Sequence, residues 1–95
     1  MPAYIIANVE IHDHEHYPAY MRAVPDTIAA YGGRYLARGG KAEKLEGVWD
    51  PKRFVILEFE SAERARAWWE STEYAGHKAL RQRTAHTNMI LVEGL

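Results

Sequence analysis

Apolar and polar positions along the chain change period several times, and each change marks an element. From Pro2 to Ile11 the side chains alternate, with Tyr4, Ile6 and Asn8 on one face and Ile5, Ala7 and Val9 on the other. This predicts a strand covered on both faces. Asp13 is a good helix N-cap, and Glu15 suits the positive helix end. Tyr17, Tyr20, Met21, Val24, Ile28 and Tyr31 then recur at intervals of three and four, forming one apolar stripe of a helix. Pro25 lies inside that stripe and predicts a kink or a restart, because proline has no N–H for the Met21 carbonyl. Gly32-Gly33 predicts the helix end.

Arg34 to Arg38 alternates again as a second strand, closed by Gly39-Gly40. Lys41 to Trp49 is polar apart from Leu45 and Val48 and predicts an extended excursion or a short hairpin, with a turn at Asp50-Pro51-Lys52. Arg53 to Glu60 is the clearest strand, β-branched and aromatic through Phe54-Val55-Ile56-Leu57-Glu58-Phe59. Ser61 caps a helix carrying Ala62, Ala65, Trp68 and Trp69, Ser71 caps a further helical stretch through Leu80, and Asn88 to Val92 gives the last strand.

The order strand, helix, strand, strand, helix, strand is that of an α+β, ferredoxin-like βαββαβ fold, an antiparallel sheet with helices on one face. Residues 1–95 form a single domain of this kind, with no repeats or linkers. By parity, Tyr4, Ile6, Phe54, Ile56, Ile90 and Val92 lie on the face that the helices leave bare. Contiguous apolar patches of this sort are rare on monomers, so a second copy packed sheet to sheet is the expected cover.

Composition narrows the partners. Twelve Lys and Arg against thirteen Asp and Glu leave a formal charge of −1, without the basic excess that phosphate backbones demand. Arg53-Phe54 and Phe59 faintly echo an RNA-binding sheet, but the two rings have opposite parity and the glycines of that motif are missing. Nucleic acid is not an expected partner. With no cysteine there is neither a disulfide framework nor a thiolate metal site. The apolar start Tyr4-Ile5-Ile6-Ala7 is broken by Asn8, Glu10 and Asp13, so the expectation is a cytoplasmic domain with no signal peptide or membrane partner.

Glu58 is the residue of most chemical interest. It sits within the most apolar strand, on the face of Phe54 and Ile56, where a charge needs a partner. Arg38 on the neighbouring strand is the leading partner and Arg81 the second. The pair reads either as a general base beside a cation or as a structural ion pair. Arg38-Gly39-Gly40 could clamp an anion, or serve as turn chemistry. Tyr74, His77, Lys78 and Arg81 share one helix face, half solvated, with Arg81 reaching a carboxylate. The run His12-Asp13-His14-Glu15-His16 straddles a strand end and a helix start, so its side chains diverge and no metal site is expected. Ser61 and Ser71, the only serines, sit at caps without a nucleophile elbow. The three tryptophans read as core and interface anchors.

Tyr31-Gly32-Gly33-Arg34-Tyr35-Leu36-Ala37-Arg38-Gly39-Gly40, Leu45-Glu46-Gly47, Arg53 to Phe59, Ser71-x-x-Tyr74 and the closing Glu93-Gly94 resemble the domain-of-unknown-function family numbered 1330. The resemblance implies the dimeric α+β barrel superfamily, whose members include small cofactor-free monooxygenases and isomerases as well as ligand-sensing domains. It implies no particular reaction. It draws attention to Arg38, Glu46, Arg53, Glu58, Ser71, Tyr74 and Arg81, while Asn88 stands where the family often has an acidic residue. The expectation is therefore a homodimer that binds or transforms a small anionic or aromatic molecule without a cofactor. Glu58, Arg38 and Tyr74 are its candidate catalytic residues. Glu46, Arg53, Ser71, Arg81 and Asn8 are its candidate ligand contacts. The alternative is a non-catalytic structural or ligand-sensing module.

Overall fold

The computed structural model describes all of residues 1–95. Its elements are β1 (Ala3–Ile11), α1 (Tyr17–Ala30), β2 (Arg34–Arg38), β3 (Arg53–Phe59), α2 (Ala62–Trp69), α3 (Thr72–Thr84) and β4 (Ala85–Glu93). The strands form one antiparallel sheet in the order β2-β3-β1-β4. This is the ferredoxin-like fold, with its second helical segment divided in two. No helix is long and apolar enough to cross a membrane.

Parity holds along β1. Ala3, Ile5, Ala7 and Val9 are buried beneath the helices, whereas Tyr4 and Ile6 are only half-buried on the other face. The centre of the core is aromatic: Trp68 stacks on Tyr74 with centroids 4.0 Å apart and packs against Phe59 at 5.7 Å. All three side chains are fully buried, and burying a large apolar side chain contributes about 1.5–3 kcal/mol. The Trp68 indole N–H donates to the Thr27 hydroxyl at 3.0 Å, and that hydroxyl donates to the Val24 carbonyl at 2.7 Å. The polar edge of the core is thereby satisfied.

Three boundaries differ from expectation. The helix α1 begins at Tyr17, because Asp13 caps the preceding turn instead, its carboxylate accepting from the backbone N–H groups of Glu15 and His16. Pro25 neither ends nor restarts α1, which runs unbroken to Ala30. Strand β4 begins at Ala85 rather than Asn88, directly after α3, where the Thr84 carbonyl accepts from His12 and Asp13 and ties the junction to the end of β1. Residues 39–52 form neither helix nor hairpin. Gly32 ends α1 with φ +76°, and the bonds Gly33 N–H to Ile28 O and Gly32 N–H to Ala29 O complete the left-handed cap.

Strand β2 carries an irregularity with large consequences. Arg34 pairs with Glu58 and Tyr35 with Leu57, but Ala37 pairs with Ile56 and Arg38 with Val55. One extra residue, Leu36, is accommodated between Tyr35 and Ala37. A bulge of this kind reverses the facing of everything after it. Arg38 therefore lies on the helix side of the sheet with Val55 and Leu57, not on the bare side with Glu58.

Candidate functional site

Beneath α1 the sheet and helices enclose a mostly apolar cavity of about 30 Å3. That is room for a water or two, since one water needs about 10–15 Å3. Three arginines line it, Arg38 from β2, Arg53 from β3 and Arg81 from α3, together with Tyr17, Tyr20 and Tyr35. Of the arginines, Arg81 is buried, Arg53 half-buried and Arg38 exposed. No Asp or Glu lines it, and none of the three arginines forms an ion pair.

Each arginine is placed by a different local device. Arg53 pairs with Val9, whose parity is inward, so the side chain turns beneath the helices. Its Nε is buried with no hydrogen-bond partner. Gly39 makes room for it: a Cβ there would lie 2.0 Å from Arg53 Nη1, and the residue holds φ +73° while its N–H donates to the Phe54 carbonyl at 2.7 Å. The close approach that Gly39 allows is thus to the protein's own guanidinium. Arg38 donates to the Met21 carbonyl and lies over the Tyr35 ring, 4.7 Å from its centroid. Arg81 is 4% exposed, and its Nε donates to the Tyr74 hydroxyl at 3.3 Å. The expected carboxylate partner of Arg81 is replaced by a phenol; Tyr74 and Arg81 are buried, while His77 and Lys78 on the same helix face are half-buried.

The Tyr74 and Tyr20 hydroxyls lie 2.8 Å apart. Burial pushes the phenols of Tyr17, Tyr20 and Tyr35 above their ordinary value, opposed at Tyr17 by Arg53 and at Tyr35 by Arg38. These phenols are therefore neutral at physiological pH.

Glu58 lies on the opposite sheet face. Its carboxylate accepts from Arg34 Nε at 2.6 Å, not from Arg38 or Arg81. The Leu36 bulge is the reason: it keeps Arg34 abreast of Glu58 and carries Arg38 through to the other side. The side chains expected at one centre are therefore divided. Arg38, Arg53, Arg81 and Tyr74 gather beneath the helices, while Glu58 and Glu46 stay outside. Glu46 is exposed, beside an open cleft of about 600 Å3 on the bare sheet face, under the 41–52 segment. Asn8 and Ser71 are committed locally. The Asn8 amide donates to the Asp50 carbonyl at 3.2 Å and accepts from Lys52 N–H at 2.9 Å, pinning that segment to β1. Ser71 caps α3 by accepting from Tyr74 N–H at 3.1 Å and donates to the Trp68 carbonyl at 2.8 Å.

Sequence reasoning misses Tyr17, Tyr20 and Tyr35 as site residues. In sequence Tyr17 and Tyr20 read as members of an apolar stripe, and only their hydroxyls distinguish them from Phe. Trp49, expected as an anchor, is 61% exposed and meets Phe54 edge-on at 5.2 Å, with Leu45 and Val48 also bare on the same segment.

No curated protein matches the sequence. Among solved structures, the RPA0582 protein of unknown function from Rhodopseudomonas palustris superposes with a TM-score of 0.79 at 19% identity, covering 99% of this chain and 82% of that one. A dimeric ferredoxin-like protein of unknown function from Jannaschia sp. CCS1 gives 0.73 at 9% identity, covering 99% and 100%. SnoaB, a cofactor-independent oxygenase from Streptomyces nogalater, gives 0.61 at 8% identity, covering 99% and 93%. At such identities the likeness is one of fold. The sequence profile described as a domain of unknown function, DUF1330, matches residues 2–95, and the chain belongs to that family.

Proposed function

We propose that this protein is a homodimeric domain that binds a small organic anion, without a cofactor, in the cavity between its sheet and α1. The carrying observation is the gathering of Arg38, Arg53 and Arg81 around an apolar space with no carboxylate among them. Arg81 is buried and Arg53 half-buried, while Arg38 is exposed at the edge of the space; withdrawing the first two from water without a counter-charge is costly, and an anionic ligand offsets that cost. The apolar wall suits a carbon skeleton, although a ligand larger than a water or two needs the wall side chains to part. The wall also lacks any carboxylate or imidazole, so it supplies no ordinary general base. Of the three residues expected to act in catalysis, Arg38 keeps a place in this proposal as an anion-binding cation, and Tyr74 lies off the cavity wall with its hydroxyl against that of Tyr20. Glu58 belongs to the bare sheet face.

The dimer rests on that face. Ile90 and Val92 are 60% and 42% exposed there, Leu36 at the bulge is 48% exposed, and the 41–52 segment adds Leu45, Val48 and Trp49. A second copy is the simplest cover. The dimeric neighbour from Jannaschia supports this arrangement, and the cofactor-independent oxygenase supports small-molecule chemistry in a fold of this shape.

A second reading, a dimeric module that binds nothing, draws support from the small size of the cavity. Native mass spectrometry of the purified dimer, followed by thermal-shift titration with aliphatic and aromatic carboxylates, separates the two. Stabilisation of the wild type that disappears in Arg53→Met supports the anion site. No response to any carboxylate, with no copurifying ligand, supports the module.

A further inference from the structure

Strand β4 is the last in the sheet order, so its outer side has no strand beside it. Its pairing with β1 sets Thr87 opposite Val9, Met89 opposite Ala7 and Leu91 opposite Ile5, so all three face the helices. There they help to bound two recesses that share Trp69 and Met89 as a common wall. The first, between β4 and α2, is apolar except for the exposed Arg66 and measures about 160 Å3. A cavity of about 150 Å3 lined by aliphatic and aromatic side chains takes one benzene ring. The second, between β4 and α3, measures about 350 Å3 and is bounded on its polar side by Arg81, Gln82, His86 and Thr87.

Two groups of the polar recess lack what their chemistry asks for. Arg81 is buried without an ion pair, and no Asp or Glu lines either recess. The Thr87 hydroxyl oxygen is buried and has no hydrogen-bond partner. A buried charge without a counter-charge and a buried hydroxyl without a partner are both costly. A carboxylate answers both, because its oxygens only accept and can take a guanidinium and a hydroxyl together. The Arg81 guanidinium also lies 5.8 Å from the centre of the Trp69 ring, which sets the charge beside the aromatic wall of the apolar recess.

We infer that this trough along β4 binds a carboxylate carrying one aromatic ring. The ring sits in the apolar recess against Trp69 and the Met89 thioether. The carboxylate accepts from Arg81 and, once the Thr87 side chain turns about χ1, from its hydroxyl. The trough is distinct from the cavity beneath α1. Arg81 and Met89 line both, but Arg38 and Arg53 line only the cavity.

Isothermal titration of the intact protein with benzoate, phenylacetate and 3-phenylpropanoate covers three spacer lengths. Acetate and benzyl alcohol supply the charge and the ring alone. At least one aromatic acid should bind about tenfold more tightly than either control, the scale of a hydrogen bond to a charged group. Arg81→Met removes a buried side chain and puts the fold at risk, so Thr87→Val is the deciding variant. It deletes a hydroxyl that has no partner, so stability to urea should hold or rise. The aromatic acid should nevertheless weaken about fivefold, with benzyl alcohol unaffected. Trp69→Leu should weaken acid and alcohol alike, and Arg53→Met should change neither. An acid that binds no better than benzyl alcohol, or none of the three binding at all, overturns the trough. Binding indifferent to Thr87→Val, or lost in Arg66→Met, moves the carboxylate off Arg81 and overturns the assignment. Binding lost in Arg53→Met places the acid beneath α1, which overturns the trough and upholds the anion site there.

Discussion

The Arg38 guanidinium donates to the Met21 carbonyl, the helical carbonyl that Pro25 leaves without a partner. In a regular helix the N–H of residue 25 would fill that position, and a proline inside a helix costs about 3 kcal/mol in part because it does not. A side chain from the sheet supplies the missing donor, which is why α1 passes Pro25 unbroken. The same contact draws Arg38 to the cavity wall, so a backbone defect in α1 and a site residue in β2 form one arrangement.

Pro25→Ala should stabilise the protein to urea, and Arg38→Met should destabilise it by about 1–2 kcal/mol by leaving the carbonyl bare. Combined, the two should be non-additive, with the Arg38→Met penalty smaller once the Pro25→Ala change supplies a backbone N–H. Strict additivity in a double-mutant cycle would show that the carbonyl and the guanidinium are not energetically linked.

Gly39→Ala should damage the site more than its place in a loop implies. The new Cβ would sit 2.0 Å from Arg53 Nη1, and the left-handed backbone adds strain of about 1 kcal/mol. Carboxylate binding should fall along with thermal stability, whereas Gly40→Ala, with open space around it, should leave binding intact.

Glu58→Gln should leave carboxylate affinity at the cavity unchanged, because its partner Arg34 and its own side chain face away from α1. With Arg34 71% exposed, the loss of stability should stay under about 1 kcal/mol. A collapse of binding in this variant, with the fold intact by circular dichroism, would tie Glu58 to the cavity after all.

Ile90→Asp places a charge on the bare sheet face, where Ile90 is 60% exposed in the single chain. Sedimentation equilibrium should show the wild type at twice the chain mass and the variant near one chain mass, with circular dichroism unchanged. A wild type that sediments as a single chain would remove the dimer.

The His16 imidazole should titrate above its ordinary value of 6.5, because its Nδ1 bonds to the Asp13 carboxylate at 2.8 Å and the two charges attract. Asp13 is lowered by the same bond. The raised histidine helps the fold below about pH 6.5 and loses that help as pH rises through its folded value. The lowered aspartate helps above about pH 3.8 and loses it as pH falls through its folded value. Their joint contribution therefore lies in mildly acidic solution. Proton NMR titration should place His16 above 6.5 in the wild type and return it toward 6.5 in Asp13→Asn.

Much of the fold is legible in the residues alone, because it rests on local periodicities. Alternation along Ile5, Ala7 and Val9 identifies the buried face of β1, three-and-four spacing finds α1, and Ser61 and Ser71 mark the starts of α2 and α3. The bare face carrying Ile90 and Val92 follows from the same parity. Arg38, Arg53, Tyr74 and Arg81 are recognisable as polar residues of interest, but where they meet is not. Period-two facing is a local rule only until a bulge intervenes, and whether Leu36 bulges depends on how β2 registers against β3. That single register shift parts Arg38 from Glu58, gives Glu58 to Arg34 and turns Arg38 toward the Met21 carbonyl. The cavity itself joins side chains from β2, β3, α1 and α3. Neighbours so distant along the chain are chosen by packing, and tertiary structure alone decides which charges are left facing one another without a counter-charge.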